Sequence, residues 1–279
     1  MTSLRDADRS GPITVQEFDG TLTTQCDRSG SDLCVLFLDV ETTGLSYEND
    51  RIIQLALRPV FVNRESFKVS HCAGMKVIYN DPGFKISDEI IALTGVTNEN
   101  VKGCEIDWTW LAGIVERVDL VVCHNAKFDR NFVMRHLQEA DISEPSTIWG
   151  CSFRQINWAS VCRASQALEV LCAWHGFYYQ AHDAGNDVNA LIHLLVTSDR
   201  MGELLTAAEK SQWRVFAVDL PFEKKDEIKA RRYQWDGEVR MWSINMSDRD
   251  TADAEMKYLT DTYNIKPQLF EIEPRYLFA

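Results

Sequence analysis

The stretch C-V-L-F-L-D-V-E-T-T-G-L at residues 34–45 decides the fold. Residues 34–40 are dominated by apolar and β-branched side chains, and the turn-prone Thr42-Thr43-Gly44 follows, so the run reads as a buried central strand. Residues 51–62 and 67–77 follow as two more strand-like runs with short connections, which predicts an antiparallel meander. Helical patterns then take over. The spacing predicts helices over 87–93, with Ser87 as the cap, and over 108–118, before 120–123 returns as a short apolar strand. Further helices are expected over 126–137, 165–175 and 184–196. Strands first and mixed elements afterwards predict an α/β fold, a mixed β-sheet flanked by helices.

At 279 residues the chain has room for more than one domain. Residues 1–32 are polar and rich in Gly, Ser, Asp and Thr, and read as a flexible leader without the apolar core of a secretion signal. A catalytic-sized domain is expected over 33–200 and a small helix-hairpin module over 201–279. The longest apolar runs, 33–38 and 191–196, are far shorter than the roughly 20 residues that cross a bilayer, so no membrane partner is expected. The eight cysteines are dispersed and form no C-x-x-C pair, which fits buried thiols in a reducing cytoplasm better than disulfides or zinc.

The net charge of −13 counts against a protein that grips duplex phosphates through Lys and Arg. It does not count against one that holds phosphate through divalent cations, because clustered carboxylates require cations. Asp39 and Glu41 lie two residues apart on a strand, so they leave the same face; alone, the pair reads equally as a solvated strand end. Asp129 shares a helical stripe with Phe132, Val133 and Leu137, and Asn125 is the better candidate for that helix's cap, which leaves Asp129 one turn inside. Asp187 repeats the pattern with Leu191, Leu194 and Leu195. A buried ionised carboxylate needs a partner. Four acids aimed inward from one strand and two helices would repel one another unless they shared cations, and hard oxygen ligands favour Mg²⁺ or Mn²⁺. His182, five residues before Asp187, sits in the preceding loop, where a lone histidine is otherwise an ordinary surface residue; beside a metal cluster it would serve as a base.

These residues resemble a known family. FLDVETTGL at 37–45, HNAKFD at 124–129 and the H-x4-D spacing of His182 and Asp187 are similar to the three motifs of the DEDDh 3′→5′ exonucleases, which include the ε proofreading subunit of bacterial DNA polymerase III. The likeness covers about residues 33–198. ISDEIIALTGVT at 86–97 and RIIQLA at 51–56 resemble flanking segments of ε-like members, whereas Asp183 stands where many members have a basic residue. Residues 149–152 also replace a commoner acidic start to the next segment. The resemblance implies a ribonuclease H-like fold and two divalent cations, about 3.5–4 Å apart, bridging the scissile phosphate. It implies that Asp39 is the shared ligand, that Glu41 and Asp187 complete the water-side ion, that Asp129 supports the other, and that His182 is the general base.

Thr42, Thr43, Gly44 and Leu45 form a turn beside these ions, fit either to hold the terminal nucleotide or simply to end a strand. His124, Asn125 and Phe128 are placed near the same groove, Phe128 as packing and Asn125 on the substrate side. The implied substrate is nucleic acid with a free 3′ end, DNA in preference to RNA, with nucleoside monophosphates released. An RNA-trimming enzyme is the alternative within the same chemistry, and an end-binding adaptor without activity is the alternative outside it. No segment identifies a polymerase or repair partner.

In the last part, Lys224, Lys225, Lys229, Arg231, Arg232 and Arg240 interleave with Tyr233, Trp235 and Trp242 around an Asp236-Gly237 turn. That mixture suits single-stranded nucleic acid, since phosphates take cations and bases stack on rings. It equally suits a small module whose tryptophans are its own core and whose cations face water.

Overall fold

The computed structural model describes residues 14–162, 164–237 and 239–279. The chain forms two compact units, one running through Ala208 and rejoined by the last two residues, the other Glu209–Leu277.

The first unit is built on β2 (Leu33–Thr42), which is buried along nearly its whole length. Its antiparallel neighbour is β3 (Ile52–Val62), and on the other side lie parallel β6 (Leu120–Cys123) and β7 (Ile148–Cys151). With β4 (Val69–Cys72) and β5 (Lys76–Tyr79), the sheet order is β4-β3-β2-β6-β7, with β5 also on β3. Around it run β1 (Gln16–Glu17), α1 (Asp88–Thr94), α2 (Asn98–Val101), α3 (Trp108–Val115), α4 (Ala126–Glu139), α5 (Ser152–Gln155), α6 (Leu168–Trp174), β8 (Phe177–Tyr178), α7 (Ala184–Thr197) and α8 (Met201–Ala208). Val35 and Phe37 join one core with Leu191, Leu194 and Leu195 of α7. The two-residue period of a strand therefore puts Asp39 and Glu41 at the upper end of the face that α7 covers. This is the α/β sheet flanked by helices that the strand-then-helix pattern predicts.

Four expectations need correction. Residues 67–77 make two strands, β4 (Val69–Cys72) and β5 (Lys76–Tyr79), each antiparallel to β3. They part opposite Arg58 and Pro59, where proline offers no N–H to a ladder and the Arg58 side chain takes the Ala73 carbonyl (2.9 Å). The described part of the leader packs on the first unit. Gln16–Glu17 pairs with β8, the Phe18 ring stacks on His193 at 4.4 Å, and Leu22 packs on the main core. Two apolar side chains anchor a segment whose average composition is polar; residues 1–13 lie outside the described residues. Helix α6 starts at Leu168, after an extended Ala167 whose N–H is taken by the Ser165 hydroxyl. Finally, α8 belongs to the first unit, because Met201, Leu204, Leu205 and Ala208 enter its main core, the helix packing on β7 and α5.

The second unit is a β-α-β-β-α-β chain: β9 (Gln212–Ala217), α9 (Lys225–Ala230), β10 (Gln234–Asp236), β11 (Met241–Met246), α10 (Arg249–Tyr263) and β12 (Gln268–Ile272), with sheet order β10-β11-β9-β12. Val215, Ala217, Ile228, Tyr233, Ala252 and Leu259 form its own core. The β10–β11 hairpin turns at Asp236-Gly237 as the sequence predicts, but the unit holds two more strands and a 15-residue helix. No helix among the described residues is long and apolar enough to cross a membrane.

Candidate active site

Asp39 and Glu41 stand at the end of β2, and Asp187 enters from the first turn of α7. One carboxylate oxygen of each lies within 4.8 Å of the others. Asp129, in the first turn of α4, does not join that group; it is buried, with Oδ1 accepting the Val40 N–H at 3.2 Å and its carboxylate also taking a bond from the Cys123 thiol. No lysine or arginine pairs with any of the four among the described residues.

Burial and crowding therefore decide their protonation. Desolvation, followed by the charges of Asp129, Asp187 and Glu41, pushes the Asp39 carboxyl well above the ordinary range. Glu41 rises to about 8, by desolvation and then by Asp187 and Asp129. Desolvation lifts Asp129 to about 7 and Asp187 to about 6, the latter against opposing bonds from Tyr179 and His182. A carboxyl whose folded-state pKa exceeds its unfolded value of about 4 binds its proton more readily in the folded chain. Its contribution to stability is then present at low pH and is lost as the pH rises through the folded pKa. The chelator-treated protein should accordingly melt several degrees lower at pH 8.5 than at pH 5.5. A thermal melt unchanged across that interval would show that the acids are compensated by charges of the protein itself.

The helix that carries Asp187 is held by side chains that sequence reasoning missed. Gln54, fully buried on β3, accepts the Ala184 N–H (3.0 Å) and donates to Asp183 (2.9 Å), which caps α7 through the Asn186 N–H. Asp183 is thus a structural cap, which accounts for an acid where a base was expected. The Tyr179 hydroxyl donates to Asp187 Oδ1 at 2.5 Å, and the His182 backbone N–H donates to Oδ2 at 2.9 Å. His182 adopts φ 65°, unusual for a residue with a side chain; the residue is exposed and its charge acts on Asp187. A glutamine inside the otherwise apolar run 52–57 of β3 was the visible signal for Gln54; Tyr179 carried none.

The turn after β2 is organised by Asp50. Its carboxylate accepts the Thr43 hydroxyl (2.9 Å) and the Ser46 N–H (2.8 Å), and a Cβ on Gly44 would stand 2.6 Å from it. Thr42 is buried, with its hydroxyl on the Gly44 carbonyl, so the turn is rigid, and Leu45 at its tip is 83% exposed. Phe128 packs against Phe132 at 4.9 Å and faces Tyr47 at 6.2 Å. Asn125 occupies the N-cap position of α4 but makes no capping bond, contrary to the sequence reading; its side chain is exposed. Both ring nitrogens of His124 are engaged, by the Ser152 hydroxyl and the Gln166 carbonyl, and desolvation lowers its pKa to about 4. With both nitrogens so bonded, His124 is a neutral strut tying three segments together.

Residues 36–195 match the family model RNase_T, described as exonuclease. Curated relatives include DNA polymerase III PolC-type from Streptococcus pyogenes, 33% identical over 115 residues, and from Listeria welshimeri, 36% over 104 residues, which are 40% and 37% of this chain and 7% of each relative. The match thus spans a small part of those polymerases. Among solved structures, the nuclease domain of 3′hExo, a DEDDh member bound to rAMP, aligns with TM-score 0.50 and 17% identity over 63% of this chain and 97% of that one. An E. coli ExoI complex with single-stranded DNA aligns with TM-score 0.54 and 17% identity, over 88% and 64%. These likenesses show a shared fold.

Proposed function

The chain belongs to the RNase_T exonuclease family, and from that premise we propose that it removes nucleoside monophosphates from the 3′ end of DNA, single-stranded in preference, in a reaction that depends on divalent cations. The observation that carries the proposal is the triangle of Asp39, Glu41 and Asp187, whose oxygens converge within 4.8 Å with no protein cation beside them. Hard oxygen donors of that number and charge suit Mg²⁺ or Mn²⁺. Asp39, Glu41 and Asp187 would hold the ions, with Asp129 in support; when bound, they supply charge for the phosphate oxygens and acidify water.

The protein's own groups do the rest. His182 takes the proton of the attacking water through a ring kept at the site by its backbone bond to Asp187. The exposed Leu45, on a turn fixed by Asp50, presses against the terminal base, and the backbone of Thr42, Thr43 and Gly44 lies along the end nucleotide. Asn125, with its side chain exposed at the start of α4, contacts the same strand, while Phe128 supports the turn from below. Support for DNA comes from the relatives named DNA polymerase III PolC-type. Cytoplasmic residence belongs to the same proposal.

The test is incubation with 5′-labelled single-stranded DNA, duplex DNA and RNA in Mg²⁺, in Mn²⁺ and in chelator. The expected result is a ladder on single-stranded DNA that chelator abolishes. A ladder on RNA alone would replace the substrate, and no ladder on any strand would leave an end-binding adaptor.

A further inference from the structure

The second unit carries an exposed indole that its core does not take up. Trp235, at the middle of edge strand β10, is 53% exposed and stands outside the unit's core, whereas its register partner Trp242 packs against that core. The two indoles meet edge-on with centroids 5.5 Å apart, and the Lys229 ammonium lies 5.6 Å over the Trp242 ring. Arg232 precedes the strand and Arg240 follows the hairpin turn, both exposed.

Three cations of this unit are ion-paired within it. Lys224 pairs with Glu227, Arg231 with Glu255, which also takes the Tyr233 hydroxyl, and Arg249 with Asp253. Lys229, Arg232 and Arg240 make no ion pair among the described residues. The neighbouring acid, Asp236, accepts the Val239 N–H and so closes the turn. An exposed indole whose partner Trp242 carries a lysine ammonium, with unpaired arginines just before its strand and after its turn in the sequence, suits something flat and anionic.

We propose that Trp235, with Lys229, Arg232 and Arg240, binds single-stranded nucleic acid, one base stacking on the indole and the adjoining phosphates taking the cations. Stacking tolerates every base, so the site has no sequence preference. It needs no strand end, which separates it from the carboxylate cluster of the first unit, and the inference stands whether or not that cluster is catalytic.

A closed circle of about 30 deoxythymidines tests this, because it offers no 3′ end. Binding is followed by fluorescence anisotropy with the full chain, in chelator, at low and high salt. The circle should bind, more weakly as salt rises. Trp235→Ala should weaken binding about tenfold, the effect of one stacked base, and Trp235→Phe should retain most of the affinity. Lys229→Glu with Arg232→Glu should weaken it and flatten the salt dependence. Thermal melting of each variant identifies any that unfold, and the phenylalanine and charge variants then decide. A circle of uridines distinguishes RNA from DNA as the source of the strand. No binding of either circle, or equal binding by wild type and a folded Trp235→Ala, would overturn the proposal.

Discussion

Asp39→Asn is expected to abolish cation-dependent nucleotide release, by on the order of 10³-fold or more, without lowering the melting temperature in chelator. Asparagine keeps the size and one carbonyl oxygen but removes the charge that both the ions and the water require. Asp39 has the acids Asp129, Asp187, Glu41 and Asp183 acting on it, and all raise its pKa. Neutralising it therefore relieves repulsion, and the chelator-treated variant should melt at or above the wild type. Added Mg²⁺ or Mn²⁺ should stabilise the wild type by mass action and the variant much less. Wild-type activity in pure Asp39→Asn protein would remove Asp39 from the metal site.

The acids were legible in the sequence because each interrupts an apolar pattern. Asp39 breaks a run that is otherwise buried, and Asp129 and Asp187 sit on the inward stripes of α4 and α7. The central sheet was legible for the same reason, since β2 and β3 are apolar almost throughout. What escaped was fixed by contacts between residues far apart in the chain. Gln54 meets Asp183 and Ala184 across 129 and 130 positions, and Tyr179 reaches Asp187 from a loop with no period to read. The split of 67–77 came from a proline on the opposite strand, and the docking of residues 16–22 from a partner strand and a histidine more than a hundred residues away. In the second unit, the helix and hairpin showed through the Asp-Gly turn, but the four-stranded order did not. That order depends on β9 pairing with both β11 and β12, a choice that no local pattern encodes.

His182 is best examined by removing its ring and keeping its backbone. Its φ of 65° lies in the left-handed region, where alanine is strained and glycine is not. His182→Gly therefore retains the N–H bond to Asp187 and should melt at or above the wild type, so a loss of rate cannot be assigned to unfolding. Removal of a general base is expected to slow cleavage by about 10²–10⁴-fold. Substrate binding should change little, so the loss falls on kcat rather than KM. Imidazole added to the solution should restore part of the rate to His182→Gly and none to Asp39→Asn, because a diffusing base replaces a missing proton acceptor but not a missing ligand. The acid limb of the rate–pH profile should also move toward that of the added base. A folded His182→Gly variant with wild-type kcat would assign the proton to another group, and His182 would then be a surface loop residue held by its backbone alone.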